Sequence, residues 1–389
     1  MFASRDRTFS ALVMGMYGCG NKGDDGILES IINNLSPKIK IIVTCGGKND
    51  LNWLGIKTTR CRLNENLTMS VLVSMCVDVL KILFNLIKTD ALIIGGGALL
   101  HDKTFYNLPF WFLFHNFARV FKKKIYYISI GIGPISTKAG EYLCKKYLSS
   151  ANQIFVRDKH GAEILNKLAI NNVKITADVA LAMDTDLSAS DYILKELSLH
   201  EKKYISITLC KHFAQENYYK NNLEFKKEKA ILANALQKIY EKYKLPFVFL
   251  PTEAYDYELG LEMCKLLKSK CEFYVVSTVY NSKELASIIA AGKYLIAVRM
   301  HSMIFATRAS IPFITFVYDT KVQSFLEMVE MSRYSIPIEE LDSSRIYNLF
   351  AEMVKNEDVV KENLKRATIK LSYHVRNSIS YISNEILSC

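Results

Sequence analysis

Short apolar runs that end in glycine or a charged residue recur along the chain. Each is followed by a stretch whose apolar positions fall three and four residues apart. Brief β-branched runs read as strands buried on both faces, and the 3.6-residue spacing reads as amphipathic helix. In the first half the pattern predicts strands at Ala11–Met16, Ile39–Thr44, Ala91–Ile94, Ile125–Ile130, Gln153–Val156 and Val173–Thr176. A second alternation predicts strands at Tyr204–Thr208, Phe247–Leu250, Phe273–Val276, Tyr294–Val298 and Phe313–Val317, with helices at Lys226–Lys242, Tyr257–Leu267 and Ser282–Ala291. Strands alternating with helices imply parallel sheets. Fourteen of the seventeen glycines lie in the first 140 residues, mostly at the ends of apolar runs, so several turns are expected to converge on one sheet edge. The expected fold class is α/β. An N-terminal domain spans 1–185, a Rossmann-like domain spans 190–335, and a polar helical tail fills 336–389. The small polar stretch Asp184–Ser190 reads as a linker. Two α/β halves of similar size are expected to face one another and hold a ligand in the cleft.

A chain of 389 residues that is half hydrophobic can bury two cores, and nothing in its composition suggests disorder. The formal charge of +11 favours anionic partners: phosphorylated small molecules, acidic membrane surfaces or nucleic acid. Nucleic acid is not expected, because basic and aromatic residues are not interleaved and no reading motif is present. The nine cysteines are scattered with no Cys-x-x-Cys pair, so no metal site is expected and a reducing compartment is. Arg5 and Arg7 precede only a short apolar segment that runs into glycine, unlike a secretion signal. Residues 71–87 are very apolar but carry Asp78 and Lys81, and Phe110–Phe121 is broken by His115, Asn116 and Arg119. Both read as buried helices, with shallow contact with a bilayer surface as the alternative to burial.

The candidate chemistry lies where strands end. Leu12-Val13-Met14 runs into Gly18-Cys19-Gly20-Asn21-Lys22-Gly23-Asp24-Asp25-Gly26 and then an amphipathic stretch, a strand, turn and helix whose N–H groups suit an anion. Asp24 and Asp25 exceed what a phosphate cradle needs; they suit a ligand with hydroxyl groups, or a helix cap. Gly18-x-Gly20-x-x-Gly23 also fits a dinucleotide fingerprint, but the next strand ends in Cys45-Gly46-Gly47-Lys48 without the ribose-binding acid. Gly95-Gly96-Gly97 lets a ligand or another backbone approach closely, with His101 and Asp102 just beyond. Arg157 follows the strand ending at Val156; it suits a carboxylate or phosphate, or a local pair with Asp158. Ala177-Asp178 puts another carboxylate at a strand end. Arg299-Met300-His301-Ser302 follows the strand Tyr294–Val298. On an extended segment Arg299 and His301 would point the same way, one a permanent cation and the other titrating near neutrality. Lys321, in Tyr318-Asp319-Thr320-Lys321-Val322, adds a point charge at the same edge.

Taken in order, Gly18–Asp25, Ile93–Gly97, Ile130-Gly131-Ile132-Gly133-Pro134, Val156-Arg157-Asp158, Ala177-Asp178, Arg299-Met300-His301 and Tyr318–Val322 resemble the polysaccharide pyruvyl transferase family over about residues 10–330. Family members often read Arg-Leu-His where this chain reads Arg-Met-His. The resemblance implies a GT-B-like fold with a C-terminal helix that crosses back. It implies phosphoenolpyruvate as co-substrate, no cofactor and no metal. The acceptor it implies is a sugar of a surface glycan or of a lipid-linked precursor, and the product is a pyruvate ketal. By the same resemblance Arg157 and Arg299 bind the anion and His301 acts in the active site. Asp24 and Asp25 then lie near the acceptor, one or the other serving as the base, and Lys321 with the turn residues Gly20, Asn21, Gly96, Gly97 and Ser302 contacts substrate. The enzyme is expected in the cytoplasm, in peripheral contact with the inner face of the membrane. Two rivals stay open at this level: a GT-B-type glycosyltransferase using a nucleotide sugar, and a non-catalytic glycan-binding relative.

Overall fold

The computed structural model describes residues 8–46, 51, 54–60, 69–184, 188–210, 222–278 and 280–388. Arg5, Arg7, Gly47, Lys48 and residues 185–187 of the expected linker lie outside the described residues. The chain divides into two compact units, one of residues 1–183 and 371–389 and the other of residues 184–370. The C-terminal tail is therefore not a separate piece. The helix Glu357–Leu387 belongs to the second unit up to Lys370 and to the first from Leu371.

The first unit runs β1 (Phe9–Met14), α1 (Lys22–Asn34), β2 (Ile39–Cys45), β3 (Lys57–Arg60), α2 (Met69–Lys88), β4 (Ala91–Gly95) and α3 (Asn107–Val120). It continues with β5 (Lys124–Ile130), α4 (Lys138–Leu148), β6 (Gln153–Val156), α5 (Lys159–Lys167) and β7 (Val173–Ile175). All pairs are parallel, in the order β3-β2-β1-β4-β5-β6-β7. Ile82 and Leu86 of α2, Trp111, Phe112 and Phe114 of α3, and Leu148 and Leu165 beyond them bury one sheet face against Leu12, Met14, Ile94, Tyr127 and Val156. The other face takes α1 and the end of the long C-terminal helix. There Tyr381 meets the ring of Phe155, Ser36 N–H donates to Ser383 Oγ, and Ser378 Oγ lies 2.8 Å from Thr176 Oγ1.

A buried histidine sits in the first core. His115 Nδ1 lies 2.9 Å from the Tyr127 hydroxyl and Nε2 lies 2.9 Å from Ser150 Oγ. Ser150 donates its own proton to the Tyr147 carbonyl, so it accepts from His115 Nε2–H, and Nδ1 accepts from Tyr127. The ring is neutral in this arrangement, and burial, with Arg119 nearby, pulls its pKa down to about 4. The unfolded chain would bind a proton near the usual 6.5. The folded state therefore gains from this site above that value and loses it as pH falls toward 4, by about 3 kcal/mol over the whole window. Denaturant titration of the full chain is expected to show stability falling by about 2 kcal/mol between pH 7 and pH 5 from this residue, a slope that His115→Gln removes.

The second unit runs α6 (Ser188–Glu196), β8 (Ile205–Thr208), α7 (Asn222–Tyr243), β9 (Phe247–Phe249), α8 (Ala254–Leu267), β10 (Phe273–Val275) and α9 (Ser282–Ala291). Then come β11 (Tyr294–Ala297), α10 (Met300–Arg308), β12 (Phe313–Val317), α11 (Thr320–Met328), β13 (Ser335–Pro337), α12 (Ser343–Lys355) and α13, the helix Glu357–Leu387. Its sheet is also parallel, in the order β10-β9-β8-β11-β12-β13. Residues 188–190, expected in the linker, open α6 instead. Along α13, Val360, Leu364, Leu371, Val375, Ile379, Ile382 and Ile386 form a buried stripe at helical spacing.

Candidate active site

Each sheet reverses direction beside its first strand. The chain moves from β1 outward to β3 and returns to place β4 on the other side of β1; β8, β10 and β11 repeat the move. The crevice at such a switch point, beyond the carboxyl ends of the strands, is where open α/β sheets hold ligands. The turns after β1 and β4 flank it in the first unit, and the end of β8 and the turn after β11 flank it in the second.

In the first unit the two turns interlock. The Tyr17 hydroxyl donates to the Gly95 carbonyl at 2.6 Å, and Gly131 N–H donates to Gly97 O. Gly96 has a φ of +71°, and a Cβ there would sit 2.1 Å from Ile27 Cγ2, so α1 packs directly on the turn. Gly97 (φ +74°) leaves its space to Asp24, whose Oδ1 lies 3.1 Å from the position a Cβ would take. Asn21, not either aspartate, caps α1: its side chain accepts from Gly23 N–H at 2.9 Å. Asp25 is buried and accepts from Gly18 N–H at 2.8 Å, holding the glycine turn shut. Burial pushes the Asp25 carboxyl above its ordinary range, opposed by that N–H and by Lys22. Burial and the nearby Asp24 push the Cys19 thiol up to about 11.

Arg157, expected to bind an anion, is paired with two carboxylates of its own unit. Its side chain is 6% exposed, with Nη1 3.3 Å from Asp178 Oδ2 and Nε 3.6 Å from Asp158 Oδ2. Both carboxylates also cap helical turns: Asp158 accepts from Gly161 N–H and Asp178 from Ala180 N–H. Two carboxylates on one guanidinium leave the cluster formally negative, so here Arg157 pins the ends of β6 and β7. Gly131 makes room for it, since a Cβ there would lie 2.8 Å from Nη2. Asp102 is likewise an anchor: desolvation pushes its carboxyl up, but the bonds it accepts from Thr137 and from Ser136 N–H together outweigh that and hold its pKa below the ordinary value. Burial lowers the His101 pKa.

In the second unit α10 begins immediately after the strand turn. Arg299 is its extended N-cap residue and His301 lies in the first helical turn, so the extended geometry expected across Arg299 and His301 does not hold. Arg299 Nη1 donates to Glu253 Oε1 and Nη2 to Asp256 Oδ1, both at 2.8 Å. Asp256 is fully buried and is itself held by Thr252 N–H, Thr252 Oγ1 and Glu253 N–H. Burial opposes the charge on Arg299, but Asp256, with Cys210 and Glu253, outweighs it and holds the guanidinium pKa above its ordinary value. Arg299 Nε is buried with no hydrogen-bond partner among the described residues, as is Ser302 Oγ. Such groups are costly unless something accepts from them. Lys321 stands at the start of α11, its Nζ 3.7 Å from Asp319 Oδ2 and 5.6 Å from the centre of the Tyr318 ring, and burial pushes the Tyr318 phenol up.

The structure thus gathers Gly20, Asn21, Asp24, Asp25, Gly96 and Gly97 on the first unit's edge, and Arg299, His301, Ser302 and Lys321 on the second's. Sequence reasoning missed Tyr17, Glu253 and Asp256. The last two had a local signal, an acid pair three apart just after a strand, which here forms a capping box at the start of α8.

Two parallel sheets with alternating helices and a long C-terminal helix define a GT-B-like fold, and solved structures of that kind match nearly the whole chain. The Staphylococcus aureus MnaA–UDP structure matches with a TM-score of 0.65 at 16% identity, covering 97% of this chain and 96% of that one. A UDP-N-acetylglucosamine 2-epimerase structure from Listeria monocytogenes, described as putative, matches with a TM-score of 0.68 at 10% identity, covering 98% of each chain. The chain belongs to the polysaccharide pyruvyl transferase family, whose model matches residues 21–320, and is therefore a transferase. It is similar to the amylovoran biosynthesis protein AmsJ of Erwinia amylovora, 21% identical over 403 residues, covering 92% of this chain and 94% of that protein.

Proposed function

We propose that this transferase moves the enolpyruvyl group of phosphoenolpyruvate onto a sugar of a surface polysaccharide, or of its lipid-linked precursor, and closes it into a pyruvate ketal with release of phosphate. The observation that carries this reading is the second unit's switch point. A half-buried, permanently charged Arg299, whose buried Nε–H has no partner among the described residues, adjoins an imidazole in the first turn of a helix whose N-terminus favours negative charge. The donor is assigned to that edge, with Arg299, Ser302 and Lys321 as its anion and hydroxyl contacts. The acceptor is assigned to the first unit's edge, with Gly20, Asn21, Gly96 and Gly97 lining it.

In this scheme protonated His301 gives its proton to the methylene carbon, which becomes the methyl group, and the neighbouring carbon becomes electrophilic. A sugar hydroxyl adds to that carbon and passes its proton to Asp24. The C–O bond to phosphate then breaks with its electron pair going to phosphate. A second hydroxyl of the same sugar takes the vacated position; its proton leaves with phosphate, and the proton held by Asp24 returns to His301 through solvent. One phosphoenolpyruvate and one diol give one ketal and one phosphate, and no metal or nucleotide enters the balance. Glu253, partly exposed, is the carboxylate that an incoming anion would displace from Arg299, while buried Asp256 keeps the guanidinium aligned.

The test is direct. Purified protein with phosphoenolpyruvate and a saccharide acceptor is expected to release phosphate and to add the mass of one pyruvate ketal per modified sugar. Release of nucleotide from a nucleotide sugar, with phosphoenolpyruvate inert, would replace this reading with glycosyl transfer.

A further inference from the structure

We propose that the outward face of α2, together with the C-terminal end of α3, is a docking surface for an anionic lipid bilayer. Val77, Leu80, Phe84 and Ile87 recur at three- and four-residue spacing and all face solvent, Leu80 being 65% and Phe84 58% exposed. Among the described residues of the helix, Ile82 and Leu86 on the opposite side enter the core, with Val79 and Leu83 packed against it. Lys123 Nζ donates to the Ile87 carbonyl, which brings the end of α2 beside the end of α3, where Val120 and Phe121 are also exposed. The apolar surface therefore runs across two elements.

Its charge selects the partner. Lys81 and Lys88 flank the α2 stripe, and Arg119, Lys122 and Lys123 border the α3 end. The Lys88 ammonium lies 3.7 Å over the Phe84 ring, as a snorkelling lysine would. Between residues 67 and 140 the sequence holds eight Lys and Arg against three acids, Asp78, Asp90 and Asp102. Asp78 is buried, Asp90 accepts from Ser10 N–H, and Asp102 accepts from Ser136 N–H and Thr137 N–H. No helix among the described residues is long and apolar enough to cross a membrane. An apolar stripe rimmed, among the described residues, by cations fits a surface that offers acyl chains below negative headgroups, and the helix lies along it.

The proposal does not rest on the catalytic reading, and its test reads binding alone. The full chain is floated with vesicles of phosphatidylcholine, or of phosphatidylcholine mixed with phosphatidylglycerol, at low and high salt. Wild type is expected to rise with the mixed vesicles and to release as salt increases. Leu80→Asp with Phe84→Asp is expected to weaken binding about tenfold or more while the thermal melt stays unchanged, since both side chains face solvent. Lys81→Gln with Lys88→Gln and Lys122→Gln is expected to abolish the preference for phosphatidylglycerol. The idea is overturned if wild type stays with neither vesicle, or if the aspartate variant floats like wild type. A concentration-dependent dimer that the aspartate variant dissolves would also overturn it, giving the face to a second copy.

Discussion

His301→Ala is expected to lower pyruvyl transfer by about 10²- to 10⁴-fold in kcat, the range a positioned general acid supplies. The fold should survive, because His301 is only half-buried and alanine favours the helix it would occupy. Phosphoenolpyruvate should still bind, since the Arg299 pairs to Glu253 and Asp256 do not involve the imidazole. The loss should therefore fall on kcat rather than KM. The pH profile separates this role from a structural one: the limb reporting a protonated acid disappears in His301→Ala, whereas a variant that only loosened the helix would keep it at reduced amplitude. Unchanged turnover would remove His301 from the mechanism.

Much of this edge was legible from the chain. Buried parallel strands must be apolar throughout, so Ala11–Met14, Ala91–Ile94 and Phe313–Val317 declared themselves, and glycines marked where ligand-side turns begin. The two strands that escaped are edge strands. Lys57–Arg60 reads Lys-Thr-Thr-Arg, and Ser335–Pro337 ends in proline; an edge need not be apolar and tolerates a missing N–H. Pairings across long separations were beyond reach. Nothing local ties Arg299 to Asp256, 43 residues away, or tells that Arg157 donates to Asp178. The greasy α2 segment was ambiguous for another reason. It is apolar around most of its circumference, so its sequence cannot say which side enters the core, and the expectation of a fully buried helix holds only for one side.

Asp24 and Asp25 stand next to each other in sequence, yet their substitutions are expected to fail in different ways. Asp24 lies against the Gly97 turn on the ligand side of the switch point, whereas Asp25 is buried behind the glycine turn with Gly18 N–H as its donor. Asp24→Asn keeps volume and removes the base, so turnover should drop about 10²- to 10⁴-fold with the melting temperature unchanged. Asp25→Ala strands a buried N–H, at a cost of about 1–3 kcal/mol, and frees the turn. Its activity should fall together with stability and recover in part at lower temperature, while Asp25→Asn, which can still accept from Gly18, should recover more. Activity and thermal melts measured side by side decide the matter. An active Asp24→Asn beside an inactive but fully folded Asp25→Asn would exchange the two roles.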